Sequence, residues 1–572
     1  SMRRVLTLFL CLTLLLGLLS GCGSRDDGYV DMQVFDELEY SRPDLDAALK
    51  NIDAAADAVQ AMEGGKLKQL FKLRGAQNAL NTVFEDYYHL ETMMTLSRIR
   101  SDRDVTDAYY ASETAWCSDA MVTYYAALEE LFTFCAASGS KEMLERYCLG
   151  EGFLDDYGED YVISDTLTEL RRQENDLVTQ YYEKLNSATV NLGGTDYTFD
   201  ELYDAIDAET LPVPEQQAYE QYYSAVNAEL GELYIQLVRV REAMAAELGY
   251  DDYRQMAYDE NGYDYDPNEV LAYTDAIREI LVPLYLEADD GGLLRDAYYG
   301  TDEQEAEDSL EAVTQMAETL GGDFRDAMDF MLEYDLFDVS VSGKKTPDSY
   351  EVYLSDWEAP YLFTDSSGYA EDTLTIAHEF GHYTDDFLYY GAYHGTDTSE
   401  TLSQGMEYLA LEYLQDDDLR ESLTAWKLAD ILQLYTQQGS FNAFEEQVYA
   451  LPDEELTLEN INAIALETTK DFGAETGYGD LCDAASWVTI THFFEAPFYI
   501  LSYMTSDSAA IQFYEHELQK AGEGLDLYQQ VQNAADDYSF TELMTQNGLR
   551  DPLSREQVQA IAELVRMELL VH

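Results

Sequence analysis

The chain has 572 residues, with 114 Asp and Glu against 32 Lys and Arg, for a formal net charge of −82. A field of that sign, carried along nearly the whole chain, disfavours nucleic acid and anionic membrane surfaces as partners. It suits a heavily solvated exterior in a salty or crowded extracellular setting.

Residues 1–22, SMRRVLTLFLCLTLLLGLLSGC, set Arg3 and Arg4 before an apolar run from Leu6 to Leu19. The run falls short of the about 20 apolar residues a spanning helix needs, and it ends in Leu19-Ser20-Gly21-Cys22, which resembles a bacterial lipobox. This reads as a lipoprotein signal peptide, with Cys22 as the lipidated residue and GSRDDGYV at 23–30 as a polar tether. The expected location is extracytoplasmic, on the outer face of a bacterial cell membrane and held there through a lipid alone. Cys117, Cys135, Cys148 and Cys482 fall in no CxxC or zinc-finger spacing, which argues against a cysteine-built metal site. They leave open one disulfide among the first three, or four scattered buried thiols.

From about Asp31 helical periodicity dominates; ELYIQLVRVREAMAAEL, Glu232 to Leu248, steps its apolar positions by three and four and stops at Gly249. Ten prolines and the lack of a Pro/Gly/Ser-rich linker point to one interlocked, mostly α-helical body. Within it we distinguish an N-terminal helical region at 31–200 from a catalytic region at 201–572. Between 336 and 369 the pattern changes, and FDVSVSG and YEVYLSDWEAPYLFTDSSGY alternate β-branched and aromatic residues. A small sheet is expected there, just ahead of the next helix. Its strand Ala359 to Phe363 is expected to offer an open edge for an extended peptide, with Tyr361, Phe363 and Gly368 as substrate-binding residues.

The next helix carries TIAHEFGHYTDD, residues 375–386, which places two of only seven histidines four residues apart. On a helix His378 and His382 share one face one turn apart, with Glu379 beside them, an arrangement that suits one zinc ion per chain. Catalytic zinc takes three protein ligands and keeps one position open. Gly391 and Gly395 end this helix, Asp397 or Thr398 can cap another, and a helix returning antiparallel would bring Glu400 over the histidines. Glu407 lies two turns further on the same face, placed to accept a hydrogen bond from a ligand imidazole. His394, in the glycine-rich turn, is the other possible third ligand. Further on, His492, Tyr499 and Tyr503 are spaced by seven and four, as on one helical face, although Pro497 can leave His492 ahead of the helix start.

HEFGH, ETLSQGMEYL and HFFEAPFYILSY, in that order, resemble the M3 family of zinc oligopeptidases, nearest its oligoendopeptidase F and Pz-peptidase branch. Weaker similarity reaches back to LGYDDYRQMAY, so the resemblance spans roughly residues 230 to 515, and the N-terminal third shares only its helical character. It implies zinc held by His378, His382 and Glu400, Glu379 as the catalytic carboxylate, and substrate and transition-state contacts in the segment of His492, Tyr499 and Tyr503. It also implies a large helical body with a deep central channel. The interval from His382 to Glu400 is shorter than is usual in that family, Asp385 stands where many members carry a further histidine, and Asp365 replaces a common asparagine, with Gly368 kept.

The function these residues point to is a zinc-dependent metalloendopeptidase that hydrolyses short unstructured oligopeptides outside the cell. The alternative is a non-catalytic lipoprotein that binds peptides for uptake. Glu379 favours the enzyme, because a carboxylate beside an open metal position serves proton transfer and adds little to capture. A thermolysin-type protease would follow Glu400 with Glu-x-x-x-Asp spacing, and here the chain reads Ser403 and Gln404.

Overall fold

The computed structural model describes residues 32–157 and 164–570; the signal segment, Cys22 and the tether lie outside the described residues. Helix α1 (Leu45–Gln60) starts where the Asp44 side chain accepts from the Ala47 N–H, and it turns Ala48, Ile52, Ala55 and Val59 inward at helical spacing. Helices α2 (Lys66–Arg103) and α3 (Ala108–Ala137) pack with it around Leu80, Tyr87, Leu128 and Phe132. Next come α4 (Asp165–Ser187), α5 (Glu215–Glu247) and α6 (Tyr253–Asn261). Helix α5 ends, as the periodicity requires, just ahead of Gly249 at φ +81°.

The sheet expected between 336 and 369 is present. Strands β1 (Phe337–Asp338), β2 (Tyr350–Leu354) and β3 (Ala359–Phe363) form it in the order β1-β3-β2. Strand β3 runs antiparallel to β2, with Val352 opposite Tyr361, and parallel to β1, with Phe337 opposite Leu362. It is therefore the central strand, and the expectation of an open edge at 359–363 is corrected.

Helices α7 (Asp372–Tyr389) and α8 (Thr396–Tyr413) follow at once, joined by a turn of six residues, 390–395. Then come α9 (Asp417–Tyr449), the short α10 (Thr491–Glu495) and α11 (Leu501–Gln519). The chain sorts into two compact units. One gathers the described residues up to 157 with Thr301–Gly395 and Leu402–Leu423, and the other gathers 164–300, Thr396–Thr401 and Thr424 onward. Their segments interleave, so a border at 200/201 coincides with no unit boundary. No Pro/Gly-rich linker marks the crossings because one of them, at 401/402, lies inside the continuous helix α8. Among the described residues no helix is long and apolar enough to cross a membrane. Cys117, Cys135, Cys148 and Cys482 are free thiols.

Candidate metal centre and its flanking residues

Helix α7 lies on the sheet, and α8 packs tightly against α7 at one residue. A Cβ on Gly381 would stand 2.7 Å from Ser403 Cα and 3.1 Å from both the Leu402 carbonyl oxygen and Met406 Cβ. The glycine inside HEFGH thus lets two helix backbones meet where a side chain would part them. Gly391, at φ +75°, closes α7 against the Tyr353 ring of β2, 2.6 Å from where its Cβ would be. With the two helices in contact at Gly381 and the start of their turn packed at Gly391, ligand atoms of His378, His382 and Glu400 come within 4.8 Å of one another, all three residues being half-buried. Among the described residues this is the one group of three or more His, Cys, Asp or Glu so placed. Two imidazoles and a carboxylate are a donor set zinc accepts, so the residues present fit the ion.

Glu407 stands where expected. Its Oε1 lies 2.7 Å from His378 Nδ1, which orients the ring and leaves Nε2 for a ligand. Glu379 is buried next to His378 in the chain. His394 is not drawn to the group; its Nε2 lies 2.9 Å from Asp385 Oδ2, and both side chains are buried. Asp385 therefore lies against the turn that links α7 to α8. Glu351 on β2 and Asp386 on α7, which no motif singles out, are both pushed up by burial first, Glu351 next by the Asp386 charge and Asp386 next by that of Asp385.

His492, Tyr499 and Tyr503 do come together, but not on one helical face. His492 is on α10, Tyr503 is on α11, and between them the backbone turns through Phe498 at φ +61°. Pro497 and the left-handed Phe498 break the helix, so this expectation is corrected. Buried polar groups hold the turn: both Glu445 carboxylate oxygens accept from the Phe498 N–H at 3.1 Å, and the Tyr263 hydroxyl donates to the Phe498 carbonyl at 2.9 Å. Arg241, buried and paired with Glu174 at 2.8 Å, donates to the carbonyls of Phe493 and Phe494 and so fixes α10. The result sets His492 Nε2 3.2 Å from the Tyr503 hydroxyl, with the Tyr499 ring edge-on to Tyr503 at 5.7 Å. Burial holds His492 below its ordinary pKa and so favours the neutral imidazole; burial, then the Glu400 charge, raises Tyr503, which keeps its proton.

Asp397 does not cap α8, whose N-cap is Gly395. Its buried carboxylate instead accepts from the hydroxyls of Tyr265 at 2.8 Å, Thr505 at 3.2 Å and Ser502. Ser502 adjoins Tyr503, and Asp397 lies one turn ahead of Glu400, so this bond set ties the two together. Burial raises the Asp397 carboxyl to about 6, against the pull of the three hydroxyls. A folded-state value above the ordinary 3.8 means that its contribution to stability is fullest below that pH and is lost as pH rises through about 6. Asp397→Asn is expected to remove that slope from urea unfolding measured between those pH values. It is also expected to destabilise the fold by about 1–3 kcal/mol at neutral pH, because the amide cannot accept all three hydroxyls.

Tyr361, Phe363 and Gly368 are corrected as substrate contacts. Tyr361 is buried with its ring centroid 4.3 Å from that of Phe35, and Phe363 is buried against Tyr350 at 4.9 Å. Gly368 spends its N–H on Asp372 Oδ2 and its carbonyl on the Gln304 N–H. The alternation that predicted the strand is real, but β3 itself is buried at all five positions while β1 and most of β2 are half-buried.

Residues 35–148 match the family model of the Peptidase M3 N-terminal domain, in the region where the sequence motifs had offered only helical character. No curated protein matches the chain significantly in sequence. Among solved structures, a protein assigned as an oligoendopeptidase F aligns with a TM-score of 0.70 at 21% identity, over 94% of this chain and 99% of that one. Pz peptidase A, solved with an inhibitor, aligns at 0.69 and 19% identity over 94% and 99% of the two chains. A Bacillus anthracis protein, also assigned as an oligoendopeptidase F, aligns at 0.66 and 21% over 94% and 98%. The chain thus has the helical fold of these peptidases over nearly its whole length.

Proposed function

We propose that this protein is an M3-family zinc metalloendopeptidase that cleaves short, unstructured oligopeptides outside the cell, where Cys22 carries its lipid anchor. The observation that carries the reading is the meeting of His378, His382 and Glu400 beside the buried Glu379, on a fold shared with peptidases. His378, His382 and Glu400 would hold the ion. Zinc supplies Lewis acidity toward a water molecule and the scissile carbonyl.

The chain's own residues do the rest. Glu379 takes a proton from the attacking water and returns it to the leaving amine. Glu407 keeps His378 in one tautomer. Tyr503, protonated and 3.2 Å from a neutral His492, donates to the charge that develops on the carbonyl oxygen. Tyr499 packs on both. Tyr503→Phe is expected to lower kcat by about 10²-fold with little change in KM, as measured by steady-state peptide hydrolysis, because the hydroxyl serves the transition state.

The central channel that the resemblance implies admits an extended peptide and excludes a folded domain. The test is digestion of a mixture of short peptides and one stably folded protein, read by mass spectrometry before chelation, after it, and after zinc is restored. Cleavage of the peptides alone, lost to the chelator and recovered with zinc, is the expected result; cleavage of the native protein would refute the channel, and chelator-resistant cleavage would refute the metal.

A further inference from the structure

The stretch from Gly64 to Phe84 contains no Asp or Glu, in a chain where 114 of 572 residues are acidic, and it contains Lys66, Lys68, Lys72 and Arg74. These open α2. Its inner face there is Gln69, Ala76 and Leu80, all buried, with Gln69 donating to the Gly139 carbonyl at 3.0 Å. At 100° per residue the opposite face presents Leu67, Leu70 and Phe71, which are 71%, 58% and 80% exposed. Lys68 and Lys72 stand on one flank of this apolar strip, Lys66 on the other, and Arg74 two turns beyond Leu67. All four cations are exposed and, among the described residues, none forms a salt bridge, although Lys68 Nζ donates to the Glu63 carbonyl at 2.7 Å. The Gln77 side chain donates to the Tyr147 carbonyl at 3.1 Å, which brings Arg146 and the 47% exposed Tyr147 alongside the next turns.

An exposed leucine alone means nothing, but three large apolar side chains on one helical strip, bordered by long cationic ones, have a physical logic. It is that of a helix lying in the headgroup zone of a bilayer: the apolar strip enters the acyl boundary while the lysine stems run outward to lipid phosphates. We propose that the start of α2 is a docking surface for an anionic lipid membrane. The net charge of −82 opposes approach of the whole molecule, yet exposed charges are screened beyond about 8 Å at physiological ionic strength, so within that distance the local cations decide the sign. The contact thus orients a body held at the membrane by a lipid on Cys22, the part of the proposed function on which it rests, and it does not depend on what the metal centre does.

The test is hydrogen–deuterium exchange of the full chain, reconstituted in phosphatidylglycerol vesicles and, separately, in phosphatidylcholine vesicles. At the start of α2 the Lys68 and Gln69 N–H groups share the Gly65 carbonyl, and the Lys66 and Leu67 N–H groups precede the first intrahelical bond, so this end of the helix exchanges fast in water. In phosphatidylglycerol, exchange over 66–72 is expected to slow by roughly tenfold, with the effect lost at high salt and in Leu67→Ser/Phe71→Ser and in Lys66→Gln/Lys72→Gln. Peptides from the buried part of α2, unchanged in both variants, report that the fold is intact. Equal exchange in the two lipids would overturn the proposal. So would protection that grows with protein concentration in detergent, since a second copy would then be the occupant.

Discussion

Glu379→Gln is expected to keep one zinc ion per chain and to lose peptide hydrolysis by about 10² to 10⁴, the range that positioned acid–base groups supply. The two shapes are nearly identical, and the donor atoms of His378, His382 and Glu400 do not include this side chain. What changes is the ability to take a proton. The measurement pairs metal analysis with kcat/KM on a short peptide. Retained zinc with lost turnover assigns the proton transfer to Glu379; undiminished turnover would remove this mechanism, and only absence of hydrolysis by the unaltered chain would leave the peptide-capturing alternative in its place.

Glu400→Ala has the second large effect, and it falls on the metal. A site of three ligands loses closure when any one goes, so both Glu400→Ala and His382→Ala are expected to come through dialysis with almost no zinc. The carboxylate is the sharper test, because the turn at 390–395 offers His394 as a replacement. That imidazole lies 2.9 Å from Asp385, both side chains buried, and would have to leave that carboxylate to reach the ion. If Glu400→Ala binds zinc as tightly as the unaltered chain, the third ligand is elsewhere and His394 becomes the one to substitute. Glu407→Gln gives the graded control: the ligands remain and only the orientation of His378 is loosened, so affinity is expected to fall by about 10- to 100-fold.

The features legible in the sequence were the local ones. The pairing of His378 with His382 needed only the 3.6-residue turn of a helix, and Glu407 followed from the same period once α8 was assumed to return. The sheet ahead of α7 was legible from alternation, since strands advertise themselves by a period of two. Alternation does not say how many neighbours a strand has, and β3 proved central rather than an edge. The spacing of His492, Tyr499 and Tyr503 allowed one helix, and Pro497 was the visible signal against it. That a non-glycine residue, Phe498, occupies the left-handed region depends on Glu445, 53 residues earlier, accepting its N–H. No local pattern encodes such a bond.

By itself the sequence determined the elements and the chemistry that short spacings confer: a helical chain, a histidine pair on one helix face with a carboxylate beside it, and a strongly acidic exterior. Only the tertiary structure decided which distant groups complete that chemistry. It set Glu400 rather than His394 beside the histidine pair, because Gly381 lets α8 come within van der Waals reach of α7 while His394 lies against Asp385. It turned Asp397 from a helix cap into the acceptor that joins the turn of Glu400 to the helix of Tyr503. It also left Leu67, Leu70 and Phe71 facing water on a helix whose other side is core. The reason is common to all three: periodicity tells which residues share a face, and only packing tells what that face meets.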